Sequence, residues 1–395
     1  MKHAFDIYSE QTLSFNLAGQ KQSEGFLLDC DRELLAKKHL KFVNKANASA
    51  LIIFGMGDGS FAEKIATLKP QELHLIICDL YPEDVQKLQQ QKIFLDTAAN
   101  THLLVDTSMW AHLLLLLQYG FTSTASHLVL NPCIQGESKK NHQNLQKLFS
   151  GYKTIQCLEN TDDNIKISAG AILSPDEPDL DSFISSFPAW LEELVLIWDC
   201  SNAEEIPVIS CDTGLKIVNI CHRLNNDFGT QRNIMLDSCK GDWIIYLDAD
   251  ERFPKDQWNQ LKKVASYNKC DGWYFPRMTL YPDKEHCRMG YGLWPDLQLR
   301  FFRKTAKTKF INKIHEQLTG LEGQTGLLPE APIKHITHLL KNRTEIESKL
   351  TSFNKAAGNR FSHKFGTELP SVETSTLEPQ KNRPLPPVIL PKINF

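Results

Sequence analysis

Apolar positions fall into short unbroken runs, separated by stretches with helical spacing. Ala50-Leu51-Ile52-Ile53-Phe54 is the first run, and its length and β-branched content predict a buried strand. A helical pattern follows over Ser60–Leu68, and Leu73–Cys78 predicts a second strand closed by Asp79. Leu103–Val105 and His127–Leu130 predict two more strands, with a nearly all-apolar helix, Met109–Phe121, between them. Further on, Lys166–Leu173, Leu194–Trp198, Lys216–Cys221 and Trp243–Leu247 read as strands, and Leu180–Leu191 and Gly229–Cys239 as helices. This alternation predicts a largely parallel sheet flanked by helices. Ile346, Leu350, Phe353 and Ala357 keep close to helical spacing, so Thr344–Phe361 is expected to be one amphipathic helix. From about Glu368 the composition shifts to Pro, Ser, Thr and Lys. Pro384, Pro386, Pro387 and Pro391 predict a disordered or loosely docked tail.

The pattern divides the chain into a smaller α/β region over 1–160, a second α/β region over 165–345 and a C-terminal segment over 346–395. A length of 395 residues suits such a division. Hydrophobic residues at 42% and charged residues at 23% are ordinary for a globular protein with more than one core. The net charge of −3 gives no global basic field, so nucleic acid is not an expected partner. Ten cysteines occur with no C-x-x-C spacing, which reads as reduced, buried thiols of a cytosolic protein. The apolar run Leu113–Leu117 is too short to span a bilayer, and no secretory signal is expected. The expected location is cytoplasmic, with peripheral contact at the inner membrane face left open.

Gly55-Met56-Gly57-Asp58-Gly59 lies between the first strand and its helix, and Asp79 closes the next strand. Strand, glycine loop, helix, strand and acid, in that order, outline a Rossmann-type unit. The stretch resembles S-adenosylmethionine-dependent methyltransferases, in which glycines admit the cofactor and the acid bonds its ribose. It also resembles the N-terminal part of bacterial flagellin-modifying motility accessory proteins. G-x-G-x-G is short and frequent by chance, and Asn131-Pro132-Cys133 is only a faint echo of a later methyltransferase motif. Accessory binding is expected here rather than methylation, with a scaffold role open.

The second region carries the chemistry. Gly241 starts the strand Trp243–Leu247, and Asp248 and Asp250 close it. In an extended chain these two acids would face one side together. Paired carboxylates at the carboxyl edge of a parallel sheet lie where α/β folds bind ligands, and they repel unless a cation sits between them. Mg²⁺ or Mn²⁺ suits carboxylates and a diphosphate together. By itself a lone D-x-D reads rather as an acidic turn after a strand.

The longer string includes Arg232-Asn233, Gly241-Asp242-Trp243 and Leu247-Asp248-Ala249-Asp250-Glu251. It resembles family 2 glycosyltransferases of the GT-A fold, especially the bacterial subgroup that builds lipopolysaccharide cores. The likeness covers roughly residues 165–345. It implies a GT-A type nucleotide-sugar-binding domain preceded by a smaller Rossmann-like α/β domain. By position it places Asp248 near the donor ribose or the metal, and makes Asp250 the metal ligand to the donor diphosphate. Asp199 matches the acid that contacts the nucleotide, with a strand-end turn as the equal alternative. Arg232 would sit near the donor or brace the sheet.

Gly292-Leu293-Trp294-Pro295-Asp296, followed by Arg300 and Arg303, resembles a later stretch of the same subgroup. It makes Asp296 the candidate general base for the acceptor hydroxyl, with a turn acid after Pro295 as the alternative. Arg300 would offset donor phosphate charge, and Arg303 is expected at the surface. In Ile314-His315-Glu316, His315 is the candidate metal or phosphate contact and Glu316 its support, with a hydrogen-bonded, half-buried histidine as the equal alternative. His335 and His338 read as structural or surface. Two departures fall on the nucleotide side: Ala171–Asp176 replaces the usual K-N-E or P-x-x-N turn, and Cys200–Glu204 replaces the usual G-S-T-D. The expected activity is metal-dependent, inverting transfer of a sugar from a nucleotide-sugar donor to a glycan, lipid-linked or protein acceptor. A methyltransferase acting through the first region and a degenerate binding protein are the alternatives.

Overall fold

The computed structural model describes residues 2–15, 31–90, 99–155, 164–341, 344, 369–380 and 382–391. The apolar runs become strands where expected. Ala50–Phe54 is buried at every position. It lies between His74–Asp79 and Ser126–Leu130, and Thr101–Val105 completes a four-stranded sheet whose pairings are all parallel. Helices Ser60–Leu68, Pro82–Gln90, Met109–Gln118 and Gly136–Gly151 follow its strands in turn. A first helix, Ala4–Leu13, packs on the edge strand, where Ser9 Oγ donates to Leu103 O at 2.7 Å.

The second sheet has nine strands. In spatial order they are Lys153–Thr154, Val388–Ile389, Gln324–Leu327, Cys270–Phe275, Gln298–Arg303, Trp243–Tyr246, Ile167–Leu173, Glu193–Trp198 and Ile217–Cys221. Its last four strands run parallel, as the alternation predicts. Beyond Trp243–Tyr246 the pairing turns antiparallel through Gln298–Arg303, so the sheet is mixed rather than largely parallel. The physical reason is local connection: after the helix Trp258–Ala265 the chain builds short strands and hairpins in place of helical crossovers.

Alternation then sorts the central strands' side chains. Leu194, Leu196, Trp198, Trp243 and Ile245 enter one core, while Val195, Ile197, Ile244 and Tyr246 enter the core on the other face. The helix Phe228–Ser238 covers the second face, and the Asp227 side chain caps it by accepting from Thr230 N at 2.9 Å.

Two expectations change. Leu180–Leu191 is helical only over Leu180–Ser185, because Pro188 prevents continuation. The proline-rich tail is not loose over its described part. Ser371–Glu373 pairs antiparallel with His286–Arg288, and Val388–Ile389 enters the nine-stranded sheet. Apolar Val372, Leu377, Val388 and Ile389 are buried there, which offsets the entropy that composition alone suggested would win. The helix expected over Thr344–Phe361 falls outside the described residues except at Thr344.

One apolar core crosses between the sheets. It joins Phe5, Tyr8, Phe54 and Leu116 to Met278, Cys287, Trp294, Leu327 and Val388.

Candidate active site

The acids after Trp243–Tyr246 do not continue the strand. Glu251 N donates to Asp248 O at 2.9 Å, which closes a four-residue turn. The extended geometry expected for Asp248 and Asp250 is therefore absent, and the two carboxylates take different partners. Asp248 Oδ1 accepts from Arg232 Nη2 at 2.9 Å, and its Oδ2 accepts from Arg300 Nη2 at 2.6 Å. Burial alone would raise the Asp248 carboxyl, but Arg300 and Arg232 outweigh it and hold it well below the usual carboxylate range.

These contacts belong to a longer chain of alternating charge. Glu316 Oε1 accepts from Arg232 Nε at 2.6 Å. Arg300 Nη2 also reaches Glu251 Oε1 at 2.7 Å. Arg277 Nη1 meets the same Glu251 oxygen at 3.2 Å, and Arg277 Nε donates to Asp296 Oδ2 at 2.8 Å. Glu316, Arg232, Asp248, Arg300, Glu251, Arg277 and Asp296 thus form one line of acids and guanidinium groups. Both Arg232 and Arg300 also lie over the Tyr246 ring, each 4.6 Å from its centroid. Glu251 is fully buried, so the arginines supply the compensation that a desolvated carboxylate requires.

Asp250 turns to another element. Its Oδ2 lies 3.3 Å from His335 Nε2, and His335 Nδ1 is 3.1 Å from Thr279 Oγ1. The backbone fixes this placement, because Glu251–Arg252 pairs with Ile333–His335 and Ile336 N donates to Asp250 O at 2.8 Å.

The remaining expected residues are distributed as follows. Asp296 holds Gln298 Nε2 at 2.9 Å as well as Arg277, and joins the network. Asp199 stands apart from these contacts. Its Oδ1 accepts from Leu224 N at 2.9 Å, which ties the strand end to the next loop. His315 sits in a loop packed on the start of helix Phe228–Ser238, where Phe228 N donates to Lys313 O at 2.8 Å. That approach needs Gly229, since a Cβ there would lie 2.3 Å from Asn312 O. Glu316, expected to support His315, binds Arg232 instead. Among the described residues no three His, Cys, Asp or Glu side chains converge as metal ligands.

Sequence reasoning missed Glu251, Arg277, Tyr246 and His335. Glu251 stood within the quoted motif and could have been read as the buried partner of Arg300. Nothing local marks Arg277 or His335, which reach the site through strand pairing.

In the first region the glycine loop is closed on its own acid. Asp79 accepts from Met56 N at 2.6 Å and from Tyr81 N at 2.7 Å. Asn131 Nδ2 donates to Gly55 O and Met56 O at 2.9 and 2.8 Å. The cavity beside Gly57, Asp79 and Ser138 is about 10 Å³, room for roughly one water.

No helix among the described residues is long and apolar enough to cross a membrane. Residues 178–320 match the family described as Glycosyl transferase family 2. The glycosyltransferase SunS of Bacillus subtilis (strain 168) is 25% identical over 177 residues, covering 44% of this chain and 38% of SunS. The chain thus spans well under half the length of this relative. Among solved structures, S. aureus TarS in complex with UDP-GlcNAc is 17% identical, with a TM-score of 0.24 over 30% of this chain and 36% of that one. GalNAc-T7 with UDP, GalNAc and Mn²⁺ is 14% identical, with a TM-score of 0.30 over 45% and 44%. The family match falls on the parallel strands, the acidic turn and the Asp296 loop together. Residues 178–320 thus resemble a glycosyl transferase family 2 domain, within a mixed α/β fold.

Proposed function

We propose that the chain transfers a sugar from a nucleotide-sugar donor to a hydroxyl acceptor on a glycan, lipid or protein, with inversion. The observation that carries this reading is the fixed charge chain from Arg232 to Asp296 at the end of Trp243–Tyr246, within the family-matched segment. Its guanidinium groups are oriented before any ligand arrives, which is what stabilising a departing diphosphate requires. The SunS match supports the same activity.

Asp250 and His335 fit a divalent ion. Their Oδ2 and Nε2 atoms lie 3.3 Å apart, and the two side chains together would hold such an ion. Carboxylate with imidazole suits Mn²⁺. Bound there, the ion would neutralise charge on the donor diphosphate. Asp248, held by two arginines, orients those arginines and serves less well as a metal ligand. His315 is the remaining candidate on the phosphate side, and Asp199 the candidate contact for the nucleoside.

Asp296 is the base. Arg277 donates to Oδ2 through both Nε and Nη2, and Gln298 donates to Oδ1, so one lone pair of Oδ1 stays open to accept the acceptor hydroxyl proton. Arg277 fixes the carboxylate's direction. We further read the first sheet as a Rossmann-like unit whose glycine loop does not hold a cofactor. A thermal-shift series of nucleotide sugars with and without Mn²⁺ tests the proposal. A Mn²⁺-dependent rise in the midpoint with at least one nucleotide sugar, lost in Asp250→Ala, is expected. Indifference to every nucleotide sugar would overturn it.

A further inference from the structure

Tyr8 on the first helix and Asp106 after the strand Thr101–Val105 meet at the seam between the two sheets, both fully buried. The Tyr8 hydroxyl donates to Asp106 Oδ2 at 2.5 Å and accepts from Gly290 N at 3.2 Å. Asp106 Oδ1 accepts from Gly292 N at 3.0 Å and from Ser108 N at 2.7 Å. The Tyr8 ring meets Trp294 edge-on at 6.2 Å. All three partners in the second region lie on the segment that runs into Asp296.

That segment closes one turn of its own, with Leu293 N donating to Gly290 O at 2.9 Å, and depends on its surroundings for the rest of its path. Tyr291 and Asp296, neither of them glycine, have φ of +51° and +40°, and Gly290 and Gly292 beside them have +71° and +77°. Left-handed positions so close together persist when the surroundings fix them. Here the fixing groups are the Tyr8–Asp106 pair on one side and Pro370, whose carbonyl accepts from Met289 N at 3.0 Å, on the other. A buried carboxylate is expensive unless its hydrogen bonds are made, so the pair favours one placement of the segment over its neighbours. Pro295 O in turn accepts from Arg277 N at 2.7 Å, which passes that placement to the arginine that grips Asp296.

We propose that the first unit is a positioning element for the acceptor side: Tyr8 and Asp106 fix the Gly290–Asp296 segment and thereby the Asp296 carboxylate. This rests on the reading of Asp296 as the base. It gives the first unit a role that its closed glycine loop does not supply.

The test uses the full chain with Tyr8→Phe and Asp106→Asn, each nearly isosteric, and Ser9→Ala as control. Ser9 holds the same helix to Leu103 and Val105 and does not touch the segment. Hydrogen exchange is followed at residues 288–297 and in the strand Glu193–Trp198. Turnover is followed as hydrolysis of UDP-glucose and UDP-N-acetylglucosamine with Mn²⁺. In both test variants, exchange over 288–297 should rise with Glu193–Trp198 unchanged. Turnover should fall about tenfold or more while the donor Michaelis constant stays within about twofold. Ser9→Ala should lower the melting midpoint and do neither. Unchanged exchange over 288–297 in both variants overturns the proposal, as does a loosened segment with full turnover. If the wild type hydrolyses neither UDP-sugar, the transferase reading has failed, and the exchange result still decides whether the pair holds the segment.

Discussion

His335 stands with Nε2 3.3 Å from the Asp250 carboxylate, at the position that pairs with Glu251 in a short antiparallel ladder. Thr279 Oγ1, 3.1 Å from Nδ1, holds the ring's direction. His335→Ala should weaken Mn²⁺ affinity in the presence of UDP by about tenfold or more, and Thr279→Val by less. Calorimetric Mn²⁺ titration against UDP-saturated protein measures this. Equal affinity in His335→Ala and wild type would remove His335 from the metal site.

Glu251 carries no exposed surface and holds Arg300 and Arg277 together. Glu251→Ala should destabilise the fold by about 3 kcal/mol, because it leaves two guanidinium groups short of a buried partner. Urea unfolding gives the value. A change below about 1 kcal/mol would mean that water or another acid takes over.

Two carboxyls, the buried Asp106 and the partly exposed Asp248, pull the pH dependence in opposite directions. Burial, outweighing the donors Tyr8 and Ser108, raises Asp106 to about 6. Its unfolded value is about 3.9, so its contribution is full below ~4 and is lost as pH rises through 6. Asp248 is depressed, so its contribution is present above ~4 and is lost as pH falls toward its folded value. Between pH 4 and 6, Asp106→Asn should therefore lose less stability than wild type. Below pH 4, Asp248→Asn should show a shallower acid decline. Urea midpoints across pH 3 to 7 check both signs.

Val388 is buried and pairs with Leu327 and Thr154, which makes the tail part of the nine-stranded sheet. Val388→Asp should cost about 3 kcal/mol by burying an unpaired charge. The same denaturation series measures it. A loosely docked tail would instead tolerate the change.

Much of the scaffold was legible because strands buried on both faces leave unbroken apolar runs. Ala50–Phe54 and Ser60–Leu68 match their runs residue for residue. The acidic turn and Asp296 were legible because their neighbours follow the pattern of a known family. Arg277 and His335 were not, since a short strand of three residues has no periodicity and its pairing partner is set by the whole sheet. The Asp248–Asp250 geometry was misread because propensity cannot distinguish a strand's last residue from the turn that follows. The tail was misread because proline content reports local stiffness and says nothing of a sheet edge waiting for Val388.

The apolar core that joins Phe5, Tyr8 and Leu116 to Met278, Trp294 and Val388 has a practical meaning for anyone dissecting the chain. The transferase segment is not a portable cassette. Cutting near residue 165 would strip one wall from the hydrophobic interior and expose Met278 and Trp294 as an adhesive surface. Shuffling either half onto another scaffold would have to graft the seam along with it.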